Sequence, residues 1–381
     1  MFPHRSLKIF MLGLFALAFP SAAPAGPRIM LEKPETVCLK VSFNGEKINA
    51  YYLLIDSRTE AEKERDLILK RLSGPVTVFF QGHAQRPSDA YAFTSKLSRM
   101  SKSGIVVVPV CDTPYGINEK WRGDRGKDVV LMEVVRWALA SVGIRVNGYE
   151  PSVEGDALVN GTRLDFVHGG ISADLACVGW SHGGILARRI AHAYPLSVSC
   201  LAQVCPAGYE HWSPTELMLR FMGESLRVSR LACKGHAGDS LSSAWGFTRG
   251  FAGDFFRSIP SALVGHHPAK LGRAGKDIKD CSIYCDSQDF GTGNLNHIVV
   301  IFGDQDTCMD ARKILACPDP HAIAEEQVQA FWDTYFSDTK ALPARRTLAV
   351  LPGTHLAPLT HSGLYARTVL ENLDQIYETD E

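Results

Sequence analysis

The chain has 381 residues, 45% of them hydrophobic and 21% charged, and a formal net charge of −1. That is ordinary globular composition, long enough for one large domain or two modest ones. No long run of like charge and no basic stripe occurs, which excludes a nucleic-acid binder working through phosphate contacts.

The N-terminus has the pattern of an export signal. His4, Arg5 and Lys8 precede an apolar run over 9–19, interrupted by Gly13, and the small residues Ser21-Ala22-Ala23-Pro24-Ala25 follow. They fit an Ala-x-Ala cleavage site ending at Ala25 or Ala23, so residues 1–25 are expected to be removed. The run falls well short of the roughly 20 apolar residues that a spanning helix needs. No later stretch is long enough either, so no stable membrane span is expected and the mature protein belongs in the periplasm or outside the cell. Its oligomeric state is not written in the sequence.

Residues 38–43 and 50–55 predict two strands around the turn Asn44-Gly45, which favours an antiparallel hairpin. The β-branched and aromatic run 76–80 predicts a buried strand, followed by a helix over about 88–101 and a strand over 105–110. Residues 128–142 have helical periodicity through Val130, Val134, Val135 and Leu139. Gly and Asn turn signals over 147–172 predict an inserted hairpin or loop. A strand over 175–180, a helix over 182–194 stopped by Pro195, and a strand over 198–204 come next. The last two strands are expected at 297–302 and 347–351, with a helix over 325–336 between them and a final helix over 365–377. Strands alternating with helices argue for an α/β fold with a mostly parallel sheet covered on both faces.

Residues 206–296 break that alternation. They are rich in glycine and in aromatics, among them Trp212, Phe221, Trp245 and Phe251. Ser213-Pro214-Thr215-Glu216 is a capping box with proline at the first helical position, opening a helix toward Leu231. The interval reads as a cap inserted between later strands of one domain spanning 26–381.

Ten cysteines suit an oxidising compartment, yet Cys177 and Cys200 fall in apolar strands, where a thiol behaves as a small hydrophobe. Cys308, Cys317, Cys233, Cys281 and Cys285 lie in loop-like sequence, where bridges are more plausible. Cys281 and Cys285 lack zinc-ligand spacing and no His-Glu-x-x-His occurs, so neither a metal nor another cofactor is expected.

The chemistry-bearing pattern is Gly179-Trp180-Ser181-His182-Gly183, with Gly184 after it, set between a strand and a helix. A serine hydroxyl is a poor nucleophile unless it is held exposed beside a base. A sharp strand-to-helix turn holds it so, and flanking glycines remove the side chains that would clash. The helix N-terminus also directs free N–H groups at developing negative charge.

With these features the chain resembles the α/β-hydrolase superfamily, in which the order is serine, acid, histidine. The resemblance runs over most of the mature chain but is specific at a few short segments. Gly303-Asp304-Gln305-Asp306 is similar to the family's Gly-x-x-Asp and implies Asp306 as the acid; Asp304 is the near competitor and Glu210 a distant one. Gly353-Thr354-His355 is similar to its Gly-x-His and implies His355 as the base, while His361 is expected near the start of the last helix. Gln81-Gly82-His83 stands where many members carry His-Gly. The resemblance therefore implies an oxyanion hole from the N–H groups of His182 and His83, with Ala84 as the alternative to His83. Trp180 resembles the elbow tryptophan of some secreted esterases, though it equally fits packing beneath the turn. The implied activity is hydrolysis of a small-molecule or lipid-like carboxylic ester, with Trp180, Trp212, Phe221 and Phe251 as substrate contacts. Amidase, peptidase, thioesterase and acyltransferase chemistry use the same groups, and a non-catalytic binding module is the rival outside enzymes.

Overall fold

The computed structural model describes residues 35–43, 46–82, 90–111, 126–149, 158–159, 162–163, 170–209, 293–340 and 342–376, with positions 216, 220, 223, 224 and 227. The expected export signal, the Cys233, Cys281 and Cys285 loops and most of the expected cap lie outside them.

Strands β1 (Val37–Phe43) and β2 (Glu46–Asp56) pair antiparallel, from Val37 opposite Tyr52 to Phe43 opposite Glu46. Helix α1 (Glu60–Leu69) follows, and it has no counterpart among the expected elements. Its apolar residues Leu67, Ile68 and Leu69 are bunched at its end and exposed, so no stripe at helical spacing marks it. What starts it is a capping box. Thr59 Oγ1 accepts from the Glu62 N–H at 3.3 Å, and Glu62 Oε2 accepts from the Thr59 N–H at 2.7 Å.

Then come β3 (Val76–Phe80), α2 (Tyr91–Met100), β4 (Ile105–Cys111) and α3 (Gly126–Ala140). The expected loop at 147–172 is bounded by β5 (Ile144–Val146) and β8 (Ile171–Ala173), which pair in parallel. Between them β6 (Leu158–Val159) and β7 (Thr162–Arg163) form a small antiparallel hairpin. The second half contains β9 (Leu175–Trp180), α4 (His182–Ala193), β10 (Val198–Val204) and β11 (His297–Gly303). After it follow α5 (Ala311–Ile314), α6 (Glu325–Tyr335), β12 (Arg345–Leu351), α7 (Ala357–Thr360) and α8 (Ser362–Asn372). The last helix starts three residues earlier than expected because His361, at its N-terminus, separates it from the short α7.

These strands form one sheet in the order β12-β11-β10-β9-β3-β4-β2-β1-β6-β7. From β12 to β4 every neighbouring pair is parallel, and from β4 through β2 and β1 to β7 every pair is antiparallel. The central strands are buried on both faces, as helix-covered parallel strands must be. Side chains alternate: Val76, Val78 and Phe80 enter one apolar cluster with Val134 and Leu139 of α3 and Ile190 of α4. Phe79 enters the other, with Phe93 and Leu97 of α2 and Val369 and Leu370 of α8. Helices thus cover both faces, and the sheet's C-terminal edge is left for the loops.

Cys177 and Cys200 are buried free thiols. Cys308 and Cys317 are also free and buried, which corrects the expectation of a bridge there. Cys317 Sγ instead donates to the Asp319 carbonyl at 2.8 Å, and Cys308, on the loop that follows β11, packs into the apolar core. Among the described residues no helix is long and apolar enough to cross a membrane.

Candidate active site

Ser181 sits between the last residue of β9 and the first of α4, with φ +55° and ψ −123°. That conformation costs a non-glycine residue on the order of 1–3 kcal/mol and persists only where its surroundings enforce it. Here they do. The Ser181 N–H donates to the Val204 carbonyl at 3.0 Å, and its carbonyl accepts from Gly184 at 2.9 Å and Ala207 at 3.1 Å. The turn is so tight that a Cβ on Gly179 would fall on the Gly183 carbonyl, and one on Gly183 on the Phe80 carbonyl. Glycine is needed at both positions because backbone occupies the space a side chain would fill.

His355 approaches from the loop after β12. Its Nε2 lies 2.9 Å from Ser181 Oγ and its Nδ1 lies 2.8 Å from Asp306 Oδ2. All three side chains are buried. The other Asp306 oxygen, Oδ1, accepts from the N–H groups of Cys308 and Met309, both at 2.8 Å. A carboxylate with two backbone donors on one oxygen has its second oxygen directed at the ring. That assigns the tautomer with the proton on Nδ1, leaving Nε2 to accept from the serine hydroxyl.

Asp304, the competing acid, faces another way. Its Oδ1 accepts from the Gly353 N–H at 2.8 Å and its Oδ2 lies 3.1 Å from His321 Nε2. It ties the acid loop to the histidine loop, which the Gln305 N–H reinforces by donating to the Gly353 carbonyl at 3.0 Å. His361 is turned toward Thr360, whose Oγ1 lies 2.9 Å from its Nδ1.

Trp180 is corrected as a substrate contact. It is 1% exposed within the α2–α8 apolar cluster, and its indole N–H donates to the His355 carbonyl at 3.0 Å. It packs beneath the turn and holds the histidine loop. Trp212, Phe221, Phe251, Glu210, His83 and Ala84 lie outside the described residues. His182 is the first residue of α4, where backbone N–H groups have no partner within the helix. The end of β3, at Phe80 and Gln81, lies directly against Gly183, beside the serine turn.

Two thiols, Cys205 and Cys308, stand near Asp306. Burial pushes both Cys205 and Cys308 above the ordinary thiol range, and the Asp306 charge adds to it. Both therefore stay neutral and set no second anion beside the acid. Asp306, Cys308 and His355 have potential metal-donor atoms within 4.8 Å of one another. Two of those three side chains are already joined by the Nδ1–Oδ2 hydrogen bond.

Taken from the hairpin edge, eight strands run β1, β2, β4, β3, β9, β10, β11, β12, with β2 antiparallel to its neighbour β4. The serine follows the fifth of these in chain order, the aspartate the seventh and the histidine the eighth. The fold is that of the α/β-hydrolases. Strand order and the serine turn decide it.

No family model matches the sequence, and no curated protein matches it. Solved α/β-hydrolase-like structures resemble it remotely. One is a probable hydrolytic enzyme from Pseudomonas aeruginosa, 13% identical with a TM-score of 0.45, matched over 89% of this chain and 94% of that one. Another is a membrane phospholipase A described as a bacterial virulence factor, 12% identical with a TM-score of 0.45 over 97% and 92%. A third is a peroxisomal α/β-hydrolase of Saccharomyces cerevisiae, 12% identical with a TM-score of 0.45 over 93% and 86%.

Proposed function

We propose that the chain is an exported serine hydrolase that cleaves a carboxylic ester through an acyl-enzyme on Ser181. The observation that carries this reading is the continuous hydrogen-bond chain Ser181 Oγ–His355 Nε2, His355 Nδ1–Asp306 Oδ2, ending on a serine held in a strained turn. In this reading His355 takes the Ser181 proton as Oγ attacks the acyl carbonyl. Asp306 holds the tautomer and stabilises the imidazolium. The N–H groups of His182 and His83 face the oxyanion. His355 then protonates the departing alcohol, and water, deprotonated by His355, releases the acid and restores the serine. Export rests on the sequence of residues 1–25, and an acyl wall of Trp212, Phe221 and Phe251 on the aromatic composition of the cap segment.

The test is hydrolysis of p-nitrophenyl esters from acetyl to palmitoyl by wild type and Ser181→Ala, with fluorophosphonate labelling in parallel. Ser181→Ala is expected to lower kcat by on the order of 10⁴-fold or more and to abolish labelling. A folded wild-type protein that neither turns over esters nor takes the label would overturn the reading in favour of a binding module. Preferential acyl transfer to an added alcohol would make it an acyltransferase instead. A steep fall beyond short chains would remove the aromatic acyl wall.

A further inference from the structure

Three charged side chains from the cap segment converge on the two residues that flank Asp306. Arg220 Nη1 donates to the Thr307 carbonyl at 2.6 Å. Glu224 Oε1 accepts from both the Thr307 N–H at 2.9 Å and its Oγ1–H at 2.7 Å. Arg227 Nη1 donates to the Gln305 carbonyl at 3.2 Å, and its Nη2 to Gln305 Oε1 at 2.8 Å. Positions 216, 220, 224 and 227 are each helical, at spacings of four, four and three. Glu216 Oε1 sits 3.2 Å from Arg220 Nη2 and orients it from one turn away.

Glu224 stands out. Its residue is 1% exposed, and among the described residues its Oε2 is buried with no partner. Burying a carboxylate with one oxygen unsatisfied costs several kcal/mol, so a contact selected for stability alone would be better served by an apolar pair. What the arrangement does achieve is geometric. The Thr307 amide that Glu224 grips is adjacent to the Cys308 amide that aims Asp306 Oδ1. A displaced Thr307 would swing the Asp306 carboxylate off the imidazole.

We propose that Glu224 is a positioning residue for the triad acid, so that Asp306 is aligned to His355 only while Glu224 holds the Thr307 amide and hydroxyl. The proposal rests on the assignment of Asp306 as the acid. Arg220 and Arg227 grip the carbonyls on either side of Asp306.

The experiment compares Glu224→Ala, Glu224→Gln and Thr307→Val with wild type. Two readouts are used: ester turnover, and the low-field proton resonance of the His355 Nδ1–H, assigned by its loss in Asp306→Ala. Glu224→Ala is expected to lower kcat about 10–100-fold with KM nearly unchanged, the size of effect a small misplacement of a catalytic group produces. It should also shift the resonance or speed its exchange with water. Glu224→Gln, which keeps an acceptor for Thr307, should recover most of the loss. Thr307→Val should show a smaller effect of the same kind, and it replaces Glu224→Ala if that variant does not fold. Unchanged resonance and unchanged kcat in a folded Glu224→Ala or Thr307→Val protein would overturn the proposal. A wild type inert toward esters whose resonance is nonetheless lost in Glu224→Ala would keep the positioning role and remove the ester reading.

Discussion

At Ser181 the local conformation works against the residue's own preference. Positive φ is strained for serine, and it survives because the Val204, Gly184 and Ala207 backbone bonds and the absence of side chains at 179 and 183 leave no relaxed alternative. Trp180 is the less obvious participant, since its indole N–H links the serine strand to the His355 backbone. Trp180→Phe keeps an aromatic ring in the core and removes that donor. We expect a stability loss of about 1–2 kcal/mol from the unsatisfied buried carbonyl. A several-fold lower kcat at constant KM should accompany it, read from urea unfolding and ester kinetics. A stability loss with kcat intact would confine Trp180 to packing. The hydrogen-bonded trio Ser181, His355 and Asp306 had been named in sequence, Ser181 from its glycine-flanked turn and the other two through the α/β-hydrolase resemblance, with Asp304 as the competing acid. The Trp180 bond was not, because its partner is 175 positions away.

At the scale of elements, the long strands of the main sheet declared themselves as apolar runs, while β5, β8 and α1 did not. The place of α1 is held by a polar cluster: Arg58 Nη2 lies 2.8 Å from Asp56 Oδ2, and Nη1 lies 3.2 Å from Asp66 Oδ2 on α1. Burial pushes the Asp56 carboxyl up, but the Arg58 hydrogen bonds and charge outweigh it and hold it below its ordinary value of 3.8. A depressed folded-state value means stabilisation that is complete above 3.8 and lost as pH falls through the lower folded value. Arg58→Met leaves Asp66 buried with one partner fewer and should cost about 3 kcal/mol at neutral pH. The gap to wild type should narrow below pH 3.8, which urea midpoints on either side of that pH would check. A gap that stays constant with pH would mean Arg58 acts by packing alone. The helix start was readable from the Thr59–Glu62 capping box. Its docking was not, since it depends on a buried aspartate meeting an arginine from the preceding turn.

For the whole molecule, the sheet buries thiols from distant parts of the chain in one interior. Burial raises Cys177, Cys205 and Cys308, and raises Cys200 to about 12. None presents a thiolate to solvent at neutral pH, so all four should resist a disulfide reagent in the native protein and react together in denaturant. Peptide mapping after timed labelling would check this. Fast native labelling at Cys308 alone would show that the acid loop opens without global unfolding.

The succession of strands along the chain, the β1–β2 hairpin and the glycine-flanked Ser181 turn were determined by the sequence, because each depends on short-range patterning: apolar runs, turn residues, glycines where the chain bends hard. What only the tertiary structure decided is longer in range. The choice of Asp306 over Asp304 follows from which carboxylate the β12 loop meets. The inward turn of Trp180 follows from the alternation of β9 against α8. The grip of Arg220, Glu224 and Arg227 on the acid loop joins segments some 80 residues apart. Such pairings are set by how packed elements come to rest on one another, and no local pattern in the chain encodes them.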